Sequence, residues 1–281
     1  SAGFGGKAPI GNRGGDFQKL SLEANMSEEN HLGRVLWRES MTKDLAKAKA
    51  FYGGLFGWQF EDFPGGDPAA PYPMIKVGES TVGGLMQMQQ GMQMPSYWTS
   101  YVSVADVDAS CAAAKTNGGS VPWGPVDIPS VGRMAMVAGQ DGACLSIMKP
   151  EGEGMKPAGR PGPGEFCWET LSAGDVEAAK RFWCVVVPRW QVREGGGMPT
   201  FGVGEGMENQ VADVQSAASA GAPPSWLTYV VVEKIEPALA KAEKLGGKVM
   251  LPTMAIPNIG RIGGIFDDQG AALGLFEPGG I

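Results

Sequence analysis

The chain has 281 residues, 43% of them hydrophobic, and carries a net charge of −7 with a pI near 4.9. That length accommodates two ordinary domains, each expected to bury a core of its own. With no broad basic surface to neutralise phosphates, nucleic acid and acidic membranes are poor partners. No apolar run approaches the roughly 18–20 residues that span a bilayer. A small molecule is the expected partner.

Residues 1–30 read as a flexible arm or a leader ending near Met26, because Ser1 to Gly15 is Gly-rich without helical or strand period. From there a β-like run reaches Ser40, and Thr42 is the expected N-cap of a helix over Lys43 to Phe56. Its apolar residues Leu45, Ala48, Phe51, Tyr52 and Leu55 fall at helical spacing. Gly57 is placed to end it in the left-handed conformation. Strands follow at Met74–Val77 and Val82–Met88 across a Gly78-Glu79 turn, then at Trp98–Val104. A second helix, Val107–Thr116, closes at Asn117-Gly118-Gly119, and strands near Met134–Val137 and Cys144–Met148 finish the half.

The whole order then repeats. Trp37, Asp44, Phe51-Tyr52 and Trp58 recur as Trp168, Asp175, Phe182-Trp183 and Trp190, at an offset of 131 residues. Trp98, Tyr101, Gly118-Gly119, Gly132-Arg133 and Gly142-Ala143 recur as Trp226, Tyr229, Gly246-Gly247, Gly260-Arg261 and Gly270-Ala271, at an offset of 128. The chain is therefore expected to be two copies of one module, 31–150 and 164–281, joined by a Gly/Pro linker at 151–163. The expected fold class is α+β: each module pairs two βαβββ units into a cupped, mostly antiparallel sheet with helices outside.

The series Trp37, Asp44, Ala50-Phe51-Tyr52, Leu55-Phe56-Gly57-Trp58, then Asp106-Val107-Asp108-Ala109, Gly118-Gly119, Gly132-Arg133 and Asp141-Gly142-Ala143 resembles the vicinal oxygen chelate superfamily. This is the group of glyoxalase, bleomycin-resistance and extradiol-dioxygenase proteins. The resemblance spans Gly33 to Pro278 and implies a divalent metal inside each cup, held by His and Glu from the first, middle and last strands. The positions it implies are occupied here by Trp37 and Trp168, Thr99 and Leu227, Ser146 and Gly274, and Gly84 and Asp213. Indole nitrogen is a donor with no lone pair for a metal, one carboxylate does not make a metal site, and the single histidine, His31, precedes the first strand. No metal and no cofactor are expected.

What remains is a cup floored by aromatics. Trp37 and Trp168 read either as core fillers or as stacking walls for a planar or aromatic ligand. Strand alternation puts Glu39 on the face of Trp37, and Thr170 on that of Trp168. A carboxylate in an apolar cup suits proton transfer, which makes Glu39 the candidate catalytic base; the competing reading sends it to the rim to pair with Arg133 or a lysine. Thr99, Tyr101, Ser146 and Tyr229 offer hydroxyls to the same spaces, and Arg133 and Arg261 could hold a ligand carboxylate or form surface ion pairs. Met86, Met88, Met92 and Met94 suggest an adaptable apolar lip. The glycines of 195–197 and of 202, 204 and 206 fall in a hairpin and are not a phosphate loop. The cysteines Cys111, Cys144, Cys167 and Cys184 lack CxxC spacing, which points to reduced thiols, three of them packed in cores, and a cytoplasmic setting. The preferred reading is a metal-independent small-molecule binding protein, a monomer or homodimer. Alternatives are a metal-independent isomerase or lyase using Glu39, and an interaction protein whose cups are filled by its own side chains.

Overall fold

A computed structural model describes residues 31–64, 70–152, 161–195 and 197–279. The expected arm at 1–30 and most of the linker at 151–163 lie outside the described residues. The first half contains β1 (Val35–Thr42), α1 (Leu45–Phe56), β2 (Gln59–Asp62), β3 (Pro73–Val77) and β4 (Ser80–Gln87), then β5 (Tyr97–Ser103), α2 (Val107–Thr116), β6 (Ser120–Ile128), β7 (Gly132–Ala138) and β8 (Cys144–Pro150). The second half repeats them: β9 (Phe166–Ala173), α3 (Val176–Val186), β10 (Gln191–Arg193), β11 (Thr200–Gly202) and β12 (Gln210–Ser216) form its first unit. After a single short turn of helix, α4 (Ala217–Ala220), come β13 (Ser225–Val231), α5 (Ile235–Lys244), β14 (Lys248–Ile256), β15 (Gly260–Phe266) and β16 (Ala272–Pro278).

Each half makes one eight-stranded sheet, ordered β2-β3-β4-β1-β5-β8-β7-β6 and β10-β11-β12-β9-β13-β16-β15-β14. The central pairs β1–β5 and β9–β13 are antiparallel. Each βαβββ unit closes on itself by a parallel pairing of its first and last strands. The α+β class, the repeated βαβββ units and the two modules are thus as the repeat predicts.

Two local expectations need correcting. Asp44, not Thr42, caps α1: its Oδ1 accepts from the backbone N–H of Ala46 and Lys47 at 3.0 and 3.1 Å. Thr42 is held in β1 by its pairing with Gln87 and cannot turn into the helix. Strand β6 was not foreseen because Pro122, Gly124 and Pro125 interrupt it; it survives as an irregular edge strand, where a missing N–H costs least. Gly57 does end α1 at φ 76°.

The cores are not one per half. Val102, Val107, Leu145 and Ile147 of the first half pack with Leu171, Phe182, Trp183 and Val214 of the second. Phe51, Tyr52, Leu85 and Trp98 pack with Ile235, Ile265, Leu273 and Leu275. The helices lie on the outer faces of the cups, and those faces meet each other. At the meeting line Arg38 Nε donates to Glu169 Oε1 at 2.9 Å, and Thr228 Oγ1 donates to the same oxygen at 3.0 Å. Two further contacts repeat across the join: Asp44 N–H donates to Gln269 Oε1 at 2.8 Å, and Gly174 N–H donates to Asp141 Oδ2 at 2.9 Å. Each clips the last turn of one half to the start of the first helix of the other.

Candidate functional site

With the outer faces committed to the core, the inner faces of the two sheets are left to form the cups. In the first, the registers set Trp37 opposite Tyr101, Glu39 opposite both Thr99 and Gly84, and Tyr101 opposite Ser146. Five expected residues therefore converge on one patch. Glu39 is 6% exposed and does not reach the rim. Tyr72 Oη donates to Glu39 Oε1 at 2.6 Å, Tyr101 Oη donates to Oε2 at 2.9 Å, and Trp37 Nε1–H donates to Tyr72 Oη at 2.8 Å. Thr99 and Ser146 share a hydrogen bond of 3.0 Å beside them. Methionines at Met134 and Met148, with Leu36, complete the apolar surround.

Burial raises the pKa of Glu39 above the ordinary value of 4.5, and the two phenol hydrogen bonds only partly offset it. Tyr72 and Tyr101 are pushed well above the ordinary tyrosine range, first by burial and then by the neighbouring carboxylate, so both remain proton donors. Tyr72 was not anticipated. It lies between Pro71 and Pro73 ahead of β3, and its place is set by Gly84, where an added Cβ would stand 2.2 Å from its hydroxyl. A tyrosine flanked by prolines and a glycine on the facing strand were the available signals.

The second cup holds the same kinds of group differently. Tyr229 lies opposite Trp168 and Gly274, and Thr170 opposite Leu227 and Asp213. Its carboxylate comes from β12, where the first cup has Gly84, and the β9 position matching Glu39 is Thr170. Burial raises the pKa of Asp213; the Thr170 hydroxyl and the Trp168 indole N–H, turned toward it, partly offset that rise. Oδ1 of Asp213 is buried with no hydrogen-bond partner. Tyr229 is pushed up to about 12, mainly by burial.

The remaining candidates lie elsewhere. Arg133 is tied to Asp108 and Asp127 at 2.7 and 2.8 Å, not to Glu39. Arg261 pairs with Glu236 and Glu277. Both sit on the outward-facing side of their strands and are not brought together with the cup residues. Met86, Met92 and Met94 are exposed, but Met88 turns into the protein. Only Cys111 of the four thiols is buried; Cys144 is exposed at the start of β8, and Cys167 and Cys184 are half-buried. His31 lies in the turn before β1, its carbonyl accepting from Arg34 N–H. No helix among the described residues is long and apolar enough to cross a membrane.

A divalent ion needs three or four convergent imidazole or carboxylate ligands. Among the described residues each cup presents one carboxylate, and that of the first is already engaged by two phenols. Among the described residues no group of three or more His, Cys, Asp or Glu side chains gathers to hold a metal. The donor set does not fit the ion that the resemblance implies.

The model of one protein family, the Glyoxalase/Bleomycin resistance protein/Dioxygenase superfamily, matches residues 31–147. Over 257 residues the chain is 27% identical to a Mycobacterium tuberculosis protein named "Putative glyoxylase CFP32", covering 89% of this chain and 97% of that one. It is 28% identical over 264 residues to the anthracycline biosynthesis protein DnrV of Streptomyces peucetius, covering 87% and 93%. Among solved structures it is similar to the Mn(II)-bound glyoxalase from Novosphingobium aromaticivorans, with a TM-score of 0.58 and 14% identity over 88% of this chain and 82% of that one. At that identity the likeness concerns the fold.

Proposed function

We propose that this chain, a two-module protein whose residues 31–147 match the Glyoxalase/Bleomycin resistance protein/Dioxygenase superfamily model, binds a planar, largely apolar small molecule in its first cup without a metal. The observation that carries this reading is the Trp37–Tyr72–Glu39–Tyr101 network, built around Trp37, which occupies a position where the resemblance implies a metal ligand. An indole beside a carboxylate and two phenols gives a flat ligand a surface to stack on and a polar group to orient it. The name of the Streptomyces relative makes a polycyclic quinone a reasonable probe.

Titration with an anthracycline aglycone is expected to quench tryptophan fluorescence saturably, and Trp37→Ala to weaken binding by about tenfold or more, roughly 1.4 kcal/mol. Unchanged affinity in that variant would count against the site. Protein purified without chelator is expected to carry well under one equivalent of Ni, Zn, Fe or Mn. A stoichiometric ion retained within a cup would overturn metal independence.

A second reading draws on the raised pKa of Glu39. A buried carboxylate with an elevated pKa can take a proton from carbon next to a carbonyl, and a phenol that it releases on protonation can turn its O–H to the developing enolate. Isomerisation or elimination of that kind would be abolished in Glu39→Gln while ligand binding persists. Binding without turnover in the unaltered protein favours the first reading.

A further inference from the structure

The two cups are built from the same strands, yet their carboxylates are satisfied in opposite ways. In the first, both oxygens of Glu39 accept phenol protons from the chain itself, at 2.6 and 2.9 Å. In the second, no phenol reaches Asp213; the Thr170 hydroxyl and the Trp168 indole N–H are turned toward it, but its Oδ1 has no hydrogen-bond partner. Strand registers show why: Met74 lies opposite Gly84, and Thr200 lies opposite Asp213, so the residue two places before Thr200 is the counterpart of Tyr72. That residue is Met198, an exposed side chain with no proton to give. Thr200 is turned away as well, its hydroxyl donating to Gln210 Oε1 at 2.5 Å. Tyr229 packs its ring across Gly274, where an added Cβ would stand 2.3 Å from it.

The second cup thus lacks the counterpart of the Tyr72 phenol, and Oδ1 of Asp213 is left buried and unpartnered. A buried acceptor without a donor is costly, so such groups are normally matched. We infer that the second cup is a separate binding site for an organic ammonium ion, with Asp213 accepting its N–H and the rings of Trp168 and Tyr229 receiving the attached aromatic or alkyl body. An ammonium group matches the site better than a neutral hydroxyl, because it compensates the carboxylate charge as well as supplying the proton. Aromatic faces beside a cation add to this, and the net charge of −7 favours the approach of cations. The inference does not depend on what occupies the first cup.

The test uses the full chain and three matched probes: 1-naphthylmethylamine, 1-naphthalenemethanol and 1-naphthoic acid. Calorimetry is expected to show the amine binding about tenfold or more tightly than the alcohol, and the acid not at all. Asp213→Asn, nearly identical in shape, is expected to remove the preference for the amine. In proton–nitrogen spectra of the unaltered protein, the amine is expected to shift one indole N–H signal, which disappears in Trp168→Phe. Equal affinity for amine and alcohol, no binding of the amine, or a shifted signal that survives in Trp168→Phe would each overturn the inference. The spectral arm stands even if Asp213→Asn does not fold.

Discussion

Burial disfavours the ionised form of Glu39, which makes it a stronger base at some expense to the fold. Its pKa in the folded protein lies above the ordinary 4.5, so the native state holds the proton more tightly than the unfolded chain does. The resulting stabilisation is fully present below the unfolded value and is lost as pH rises through the folded one. Glu39→Gln removes that dependence. Its melting temperature is expected to exceed that of the unaltered protein at pH 7 by a few degrees, on the scale of about 2–4 °C per kcal/mol, and the gap to close as pH falls below about 4.5. Thermal unfolding followed by circular dichroism across pH 4 to 8 checks this; a gap that widens toward acid would contradict it. Such a gain would mark Glu39 as a side chain kept at a cost in stability. At this scale the sequence was informative about what one strand does and silent about what a distant loop adds. Trp37 and Glu39 share a face because strand period is two. Tyr72 reaches the same carboxylate from outside any regular element, 33 residues away.

Strand pairing explains how that reach is possible. Gly84 on β4 lies opposite Glu39, and its missing side chain is the space in which the Tyr72 phenol rests. Gly84→Ala would force the ring aside. The variant is expected to fold with a loss of about 1–3 kcal/mol in urea denaturation, as overpacked sites do, and to bind the ligand of the first cup about tenfold more weakly. Unaltered affinity would show that the Tyr72 position does not matter to binding. Helices and the inner strands could be read from spacing and caps because those signals are local. Strand β6 and the cap of α1 could not, for different reasons: prolines on an edge strand mimic a loop, and Thr42 and Asp44 are both competent caps until the pairing of β1 with β4 claims the first.

At the scale of the molecule, the halves are distinct in sequence and joined in packing. Amphipathic spacing on α1, α2, α3 and α5 shows which face is apolar but not which element will cover it, and here the cover comes from the opposite half. The Arg38–Glu169 pair lies within that shared interior, with side chains 15% and 2% exposed. Burial raises the pKa of Glu169 even though Arg38 opposes the rise. Arg38→Met would leave a carboxylate unpaired and is expected to cost about 3–5 kcal/mol, whereas changing both residues to Met is expected to recover most of that loss or exceed it. Chemical denaturation of the two variants checks the contrast, and equal stabilities would refute it.

Arg38 and Glu169 also stand at the same position of the repeat, 131 residues apart. Two identical copies of the first half, docked in the same way, would press guanidinium against guanidinium; two of the second would press carboxylate against carboxylate. Opposite signs at one site on the axis are open only to partners that have ceased to be identical. The ion pair therefore ties this interface to two unlike halves: neither half could keep it when docked against a copy of itself.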